Sequence, residues 1–204
     1  MNDATNLTTA ERLSILTAYT GNVSLNLFAD FIDAGDDGDA LGEHIMDIFK
    51  FLQENFKLIT REEYRNCDLS NTTKKILCDI GLPKKPLNFL QFNIEEIENI
   101  KLEEKYIIIG HDFGTNICIN HKDEIVSIDL ENEYPIRFIN KSLEAFLKFI
   151  IFLSYREKID DEDDEISRVI QEIRNEFDMI DIQALSNEEN WWPIILEQIE
   201  LGLM

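Results

Sequence analysis

Residues 105–130 read KYIIIGHDFGTNICINHKDEIVSIDL, and the fold is decided there. Three extended runs, Lys105–Ile109, Asn116–Asn120 and Glu124–Leu130, are separated by turn-forming residues at 110–115 and 121–123. Val126, Ile128 and Leu130 alternate with Ser127 and Asp129, the period of a strand with one face buried. Connections this brief demand antiparallel pairing, because a parallel crossover needs a dozen residues or more. Further extended segments at Leu87–Phe92 and Tyr134–Ile139, the latter after a turn at 131–133, flank the three runs. The expectation is an antiparallel meander of about five to six strands, not a doubly wound sheet.

Helices are expected on both sides of this stretch. A short one at 71–80 buries Ile76, Leu77 and Ile80 and stops at Gly81, which can take the left-handed cap, with Pro83 preventing continuation. Downstream, Ser142–Tyr155 is apolar nearly all round, apart from a stripe with Glu144 and Lys148 spaced for mutual support. Glu165–Ile182 sets Ile166, Val169, Ile170, Ile173, Phe177 and Ile180 on one face. The last helix is expected to start near Pro193 and run to Leu201. Upstream, Thr8-Thr-Ala-Glu11 has capping-box spacing, and Leu41, Ile45, Ile48, Phe49, Leu52 and Phe56 lie at helical spacing. Residues 23–32 fit either a strand or a helix. The fold class is therefore α+β, with a helical extension over 1–57 and an α+β domain over 58–204.

The chain has 204 residues, 44% of them hydrophobic, enough for a proper core. It carries 41 acidic against 19 basic residues, a net charge of −22. Such a surface repels phosphate, which argues against nucleic-acid and anionic-membrane partners, and it draws in basic proteins over long range. The charge is uneven: −7 over 1–57, −4 over 58–157 and −11 over 158–204. Two acidic runs stand out, Asp33–Asp39 and Asp160–Glu165. Cys67, Cys78 and Cys118 are odd in number and widely spaced, which fits a reducing compartment better than a disulfide framework. No basic region followed by an apolar stretch opens the chain, and the longest apolar run of its greasiest segment is Phe149–Leu153. The expected location is cytoplasmic.

No catalytic, metal or cofactor constellation is legible. Asp112-Phe-Gly114 spells a kinase metal-binding triplet, but the glycine-rich loop, strand lysine and upstream aspartate of that chemistry are missing. A tight turn, with Gly110 and Gly114 supplying unusual backbone angles, explains it better. His111-Asp112 has only His44 and His121 as further imidazoles, too few for a metal-dependent phosphohydrolase. A hydrolase using Asp112 and Glu131 around a metal lacks further ligands. A calcium loop starting at Asp33 would place Gly35 third and His44 twelfth, both wrong. Cys118, between Ile117 and Ile119, reads as an inert structural thiol. Trp191-Trp192 reads as a packing anchor for the last helix, with one indole in the core and its neighbour nearer the surface.

Ile80-Gly-Leu-Pro83, Ile109-Gly-His-Asp112, Asn116-Ile-Cys-Ile119, Ile125-Val-Ser-Ile-Asp129, Phe138-Ile-Asn-Lys-Ser-Leu143, Trp191-Trp192 and Ile199-Glu-Leu-Gly202 occur in that order. As an ordered set they resemble the SUKH superfamily, to which the yeast Smi/Knr cell-wall regulators also belong. The resemblance covers about residues 58–204. It implies an immunity protein that binds and neutralises a cognate toxin domain, often a nuclease or deaminase; the alternative is a regulatory adaptor of the Smi/Knr type. It also implies that Gly81, Pro83, Gly110, Asp112, Gly114, Trp191 and Trp192 hold the fold. No enzyme activity and no cofactor is expected. The expected contacts to a basic toxin are Asp160, Asp161, Glu162, Asp163, Asp164 and Glu165, with Asp36, Asp37 and Asp39 as a second patch.

Overall fold

The computed structural model describes residues 58–59, 62–80, 82–83, 87–92, 97–131, 136–156 and 166–203, all within the unit Phe51–Met204. The expectations for residues 1–57, for Gly81 and for both acidic runs lie outside the described residues. A short ladder joins β1 (Leu58–Ile59) to β2 (Leu82–Pro83). Between them lie a 3-10 turn at Glu62–Asn66 and the helix α1 (Asn71–Lys75), which widens into a π turn at Ile76–Ile80. Ser70 caps α1, its hydroxyl accepting the Thr73 backbone N–H.

The main sheet is the expected meander. β5 (Lys105–His111), β6 (Asn116–Ile119), β7 (Ile125–Ile128) and β8 (Ile136–Asn140) pair in sequence order, all antiparallel. Two short strands share the outer edge of β5: β3 (Gln91–Phe92) against its C-terminal end and β4 (Glu98–Lys101) against its N-terminal end. β4 escapes the sequence reading because Ile100 is the only apolar residue in Glu98-Asn-Ile-Lys101. Within the expected Leu87–Phe92 strand, only Gln91 and Phe92 join the sheet; Leu87 and Leu90 form an isolated bridge.

Both faces of the central strands are buried. Ile100, Tyr106, Ile108, Cys118, Val126 and Ile128 form a buried cluster on one face. The register places Phe92, Ile117, Ile119, Ile125 and Asn140 on the other. The single buried face expected at 124–130 is thus corrected: all four residues of β7 are buried, including Ser127, whose hydroxyl has no hydrogen-bond partner among the described residues. Alternation here reflects a small polar residue tolerated inside, not a solvent-facing side. Leu130, outside the strand, is exposed.

The second face carries the helices α2 (Leu143–Arg156) and α4 (Trp191–Glu200), with α3 (Ile166–Asp181) packed against both. α2 begins as expected, the Ser142 hydroxyl accepting the Ala145 N–H, and Lys148 pairs with Glu144 at 2.9 Å. Phe146 meets Phe92 edge-on, and Phe149 stacks on Phe177 of α3 with ring centroids 3.6 Å apart. On α3, Ile170, Ile173 and Phe177 are buried as expected, whereas Ile166 is exposed at the first position. α4 starts two residues before Pro193. The first four N–H groups of a helix have no internal acceptor, so proline at the third position removes nothing. At the other end, Gly202 (φ 66°) and Leu203 donate to Ile199 and Gln198, closing the helix in a Schellman motif.

Candidate functional site

Asp112 organises the turn between β5 and β6. Its Oδ1 accepts the Gly114 and Thr115 backbone N–H groups at 3.0 and 2.6 Å. Its Oδ2 accepts the Thr115 hydroxyl at 3.0 Å and the indole N–H of Trp191 at 2.6 Å. The Asp112 N–H closes the turn on the Thr115 carbonyl. Four donors thus converge on one carboxylate, which makes it a turn staple. The turn expected from Asp112-Phe-Gly114 is present, but the roles of its glycines are corrected: neither Gly110 nor Gly114 has a positive φ. Gly110 is needed for close approach, since a Cβ there would lie 2.5 Å from the Gln91 carbonyl oxygen of β3. Gly114 faces open space.

The tryptophan pair links this turn to the core. Both indoles are buried, so the expectation that one lies nearer the surface is corrected. Successive residues at a helix start point in different directions, and each ring finds its own polar partner. Trp191 reaches Asp112 and packs on Phe89 and Phe146. Trp192 donates its indole N–H to Asn140 Oδ1 at 2.9 Å and lies among Phe146, Phe149 and Phe177. Pro83, in β2, is also buried.

Asn140 continues the network to a carboxylate the sequence reading missed. Its Nδ2 donates to Asp181 Oδ2 at 3.1 Å, and the Lys141 N–H donates to the same oxygen at 2.8 Å. Asp181, 1% exposed, ends α3, and the Lys141 ammonium lies 3.9 Å from its Oδ1 while donating to the Ile180 carbonyl. A buried carboxylate needs such partners. Asn140 and Lys141 sit inside the quoted Phe138–Leu143 passage. Asp181 carried no signal, being one acidic residue among many in an acidic segment.

The end of the sheet that bears the Asp112 turn, opposite Asn140, presents apolar side chains to solvent. Phe113 at the tip of the Asp112 turn is 78% exposed, Leu130 after β7 is 56% exposed, and Ile136 at the start of β8 is 44% exposed. Of the residues named from sequence, Gly110, Asp112, Gly114 and Trp191 meet at this turn, with Trp192 behind Trp191 in the core; Asp36, Asp37, Asp39 and Asp160–Glu165 lie outside the described residues. The described residues hold no group of three or more His, Cys, Asp or Glu side chains arranged to hold a metal ion. No described helix is long and apolar enough to cross a membrane.

A family model described as SUKH-4 immunity protein matches residues 57–198. No curated protein and no solved structure matches the chain.

Proposed function

The chain belongs to the SUKH-4 immunity protein family, and from that premise we propose that it acts in the cytoplasm as the antidote to one cognate toxin domain. It binds the toxin and covers its active site or substrate surface, and it breaks no bond of its own. The family match over residues 57–198 carries this reading. The net charge of −22 supports the nature of the partner. A nuclease or nucleic-acid deaminase must attract a polyanion and therefore displays a cationic surface. An acidic antidote competes for that surface and associates quickly through electrostatic steering.

The test mixes the full chain with the catalytic domain of the toxin encoded beside it. The expected result is a stable complex, loss of toxin activity, and an association rate that falls as salt rises. Absence of a complex at low and at moderate ionic strength overturns the reading.

A further inference from the structure

We propose that the sheet end bearing Phe113, Leu130 and Ile136 seats the toxin, with Phe113 as the anchor in an apolar pocket rimmed by Lys and Arg. This rests on the antidote reading above. The register places these residues on neighbouring turns. His111 pairs with Asn116, Asn116 with Ile128, and Ile128 with Ile136. Adjacent strands lie about 4.8 Å apart, so the β5–β6 turn and the end of β7 lie at the same end of the sheet. Three exposed apolar side chains therefore lie at one end of the sheet.

The anchor is preorganised. Asp112 holds the turn through two backbone N–H groups, a hydroxyl and a buried indole, so docking Phe113 freezes little that is not already fixed. Gly114 beside it has nothing within 4 Å of its Cβ position, which leaves that side of the turn open. A large aromatic side chain on a rigid support is the residue type that dominates binding energy when a partner desolvates it. The charge of the surroundings selects the partner. Asp129 and Glu131 flank Leu130, and Arg137, the cation next to Ile136, is half-buried. Two carboxylates beside an exposed apolar side chain are complementary to a basic rim around an apolar pocket.

Binding kinetics of the full chain and the neighbouring toxin's catalytic domain separate the possibilities. Phe113→Ala is expected to weaken the complex at least tenfold through faster dissociation, with the association rate and its salt dependence unchanged. Met179→Ala, an equally neutral change at an exposed residue of α3, is expected to stay within threefold of wild type. Unchanged thermal melts show that both variants fold. Tight binding by wild type and equally tight binding by Phe113→Ala overturns the docking surface while leaving the antidote reading intact. No binding by wild type removes both.

Discussion

The indole Nε1 of Trp191 donates to Asp112 Oδ2 at 2.6 Å, across 79 positions of sequence. This bond fastens the first turn of α4 to the β5–β6 turn. The same carboxylate fixes the turn internally, so packing of the last helix and presentation of Phe113 depend on one side chain.

Asp112→Ala is expected to destabilise the fold by about 2–3 kcal/mol, because it strands a buried indole N–H and removes the turn's acceptor. Trp191→Phe, which leaves three donors on Asp112, is expected to lose less hydrogen-bond energy but to add a packing loss. Urea midpoints followed by circular dichroism check Asp112→Ala; a shift worth less than 0.5 kcal/mol, roughly the surface-substitution range, contradicts the staple.

The two turn glycines should behave oppositely. At Gly110 an added methyl meets the Gln91 carbonyl oxygen at 2.5 Å and Phe92 Cα at 3.1 Å, both backbone atoms of β3. Gly110→Ala is therefore expected to cost about 1–3 kcal/mol by overpacking. Gly114→Ala enters open space without a positive φ and is expected to stay within about 0.5 kcal/mol of wild type. Parallel thermal melts of the two variants decide the matter.

Asn140 bridges Trp192 and Asp181. Asn140→Ala leaves a buried indole donor unpaired and takes one partner from a buried carboxylate, for an expected loss of about 3 kcal/mol. A double-mutant cycle with Trp192→Phe should show a coupling of about 0.5–3 kcal/mol. Additive losses would mean that the Asn140–Trp192 bond contributes nothing of its own.

Burial pushes the Cys118 thiol from its ordinary 9.0 up to about 12. The folded state then holds its proton where the unfolded chain has released it. The contribution to stability is complete below pH 9 and is lost as pH rises through about 12. Tyr106 shifts the same way, through burial first and then the charges of Glu103 and Cys118. Stability should fall with pH on the alkaline side, with a shallower slope in Cys118→Ala. Native labelling at pH 8 should modify half-buried Cys67 well before Cys118; comparable labelling of both residues contradicts this burial.

The meander was legible because short turns leave a chain no route but antiparallel return, and residues 105–130 write those turns plainly. The helix α2 was legible as a long apolar segment broken by the Glu144/Lys148 stripe, and α3 from its apolar period. β4 was not, because a four-residue edge strand with one inward side chain has too little pattern to see. The exposure of Ile166 was missed for a related reason: periodicity marks a face, not how far along a helix that face stays covered.

Sequence by itself determined the α+β class, the antiparallel order of β5 to β8, the turn at Asp112 and the acidic character of the chain, since each follows from local period, turn chemistry or composition. Only the tertiary structure decided that both tryptophans are buried, that Asp112 and Asn140 are their acceptors, that Asp181 is internal, and that Phe113, Leu130 and Ile136 stay exposed. Those pairings join residues tens of positions apart, and which donor meets which acceptor depends on how sheet and helices pack, not on any periodicity within a single element.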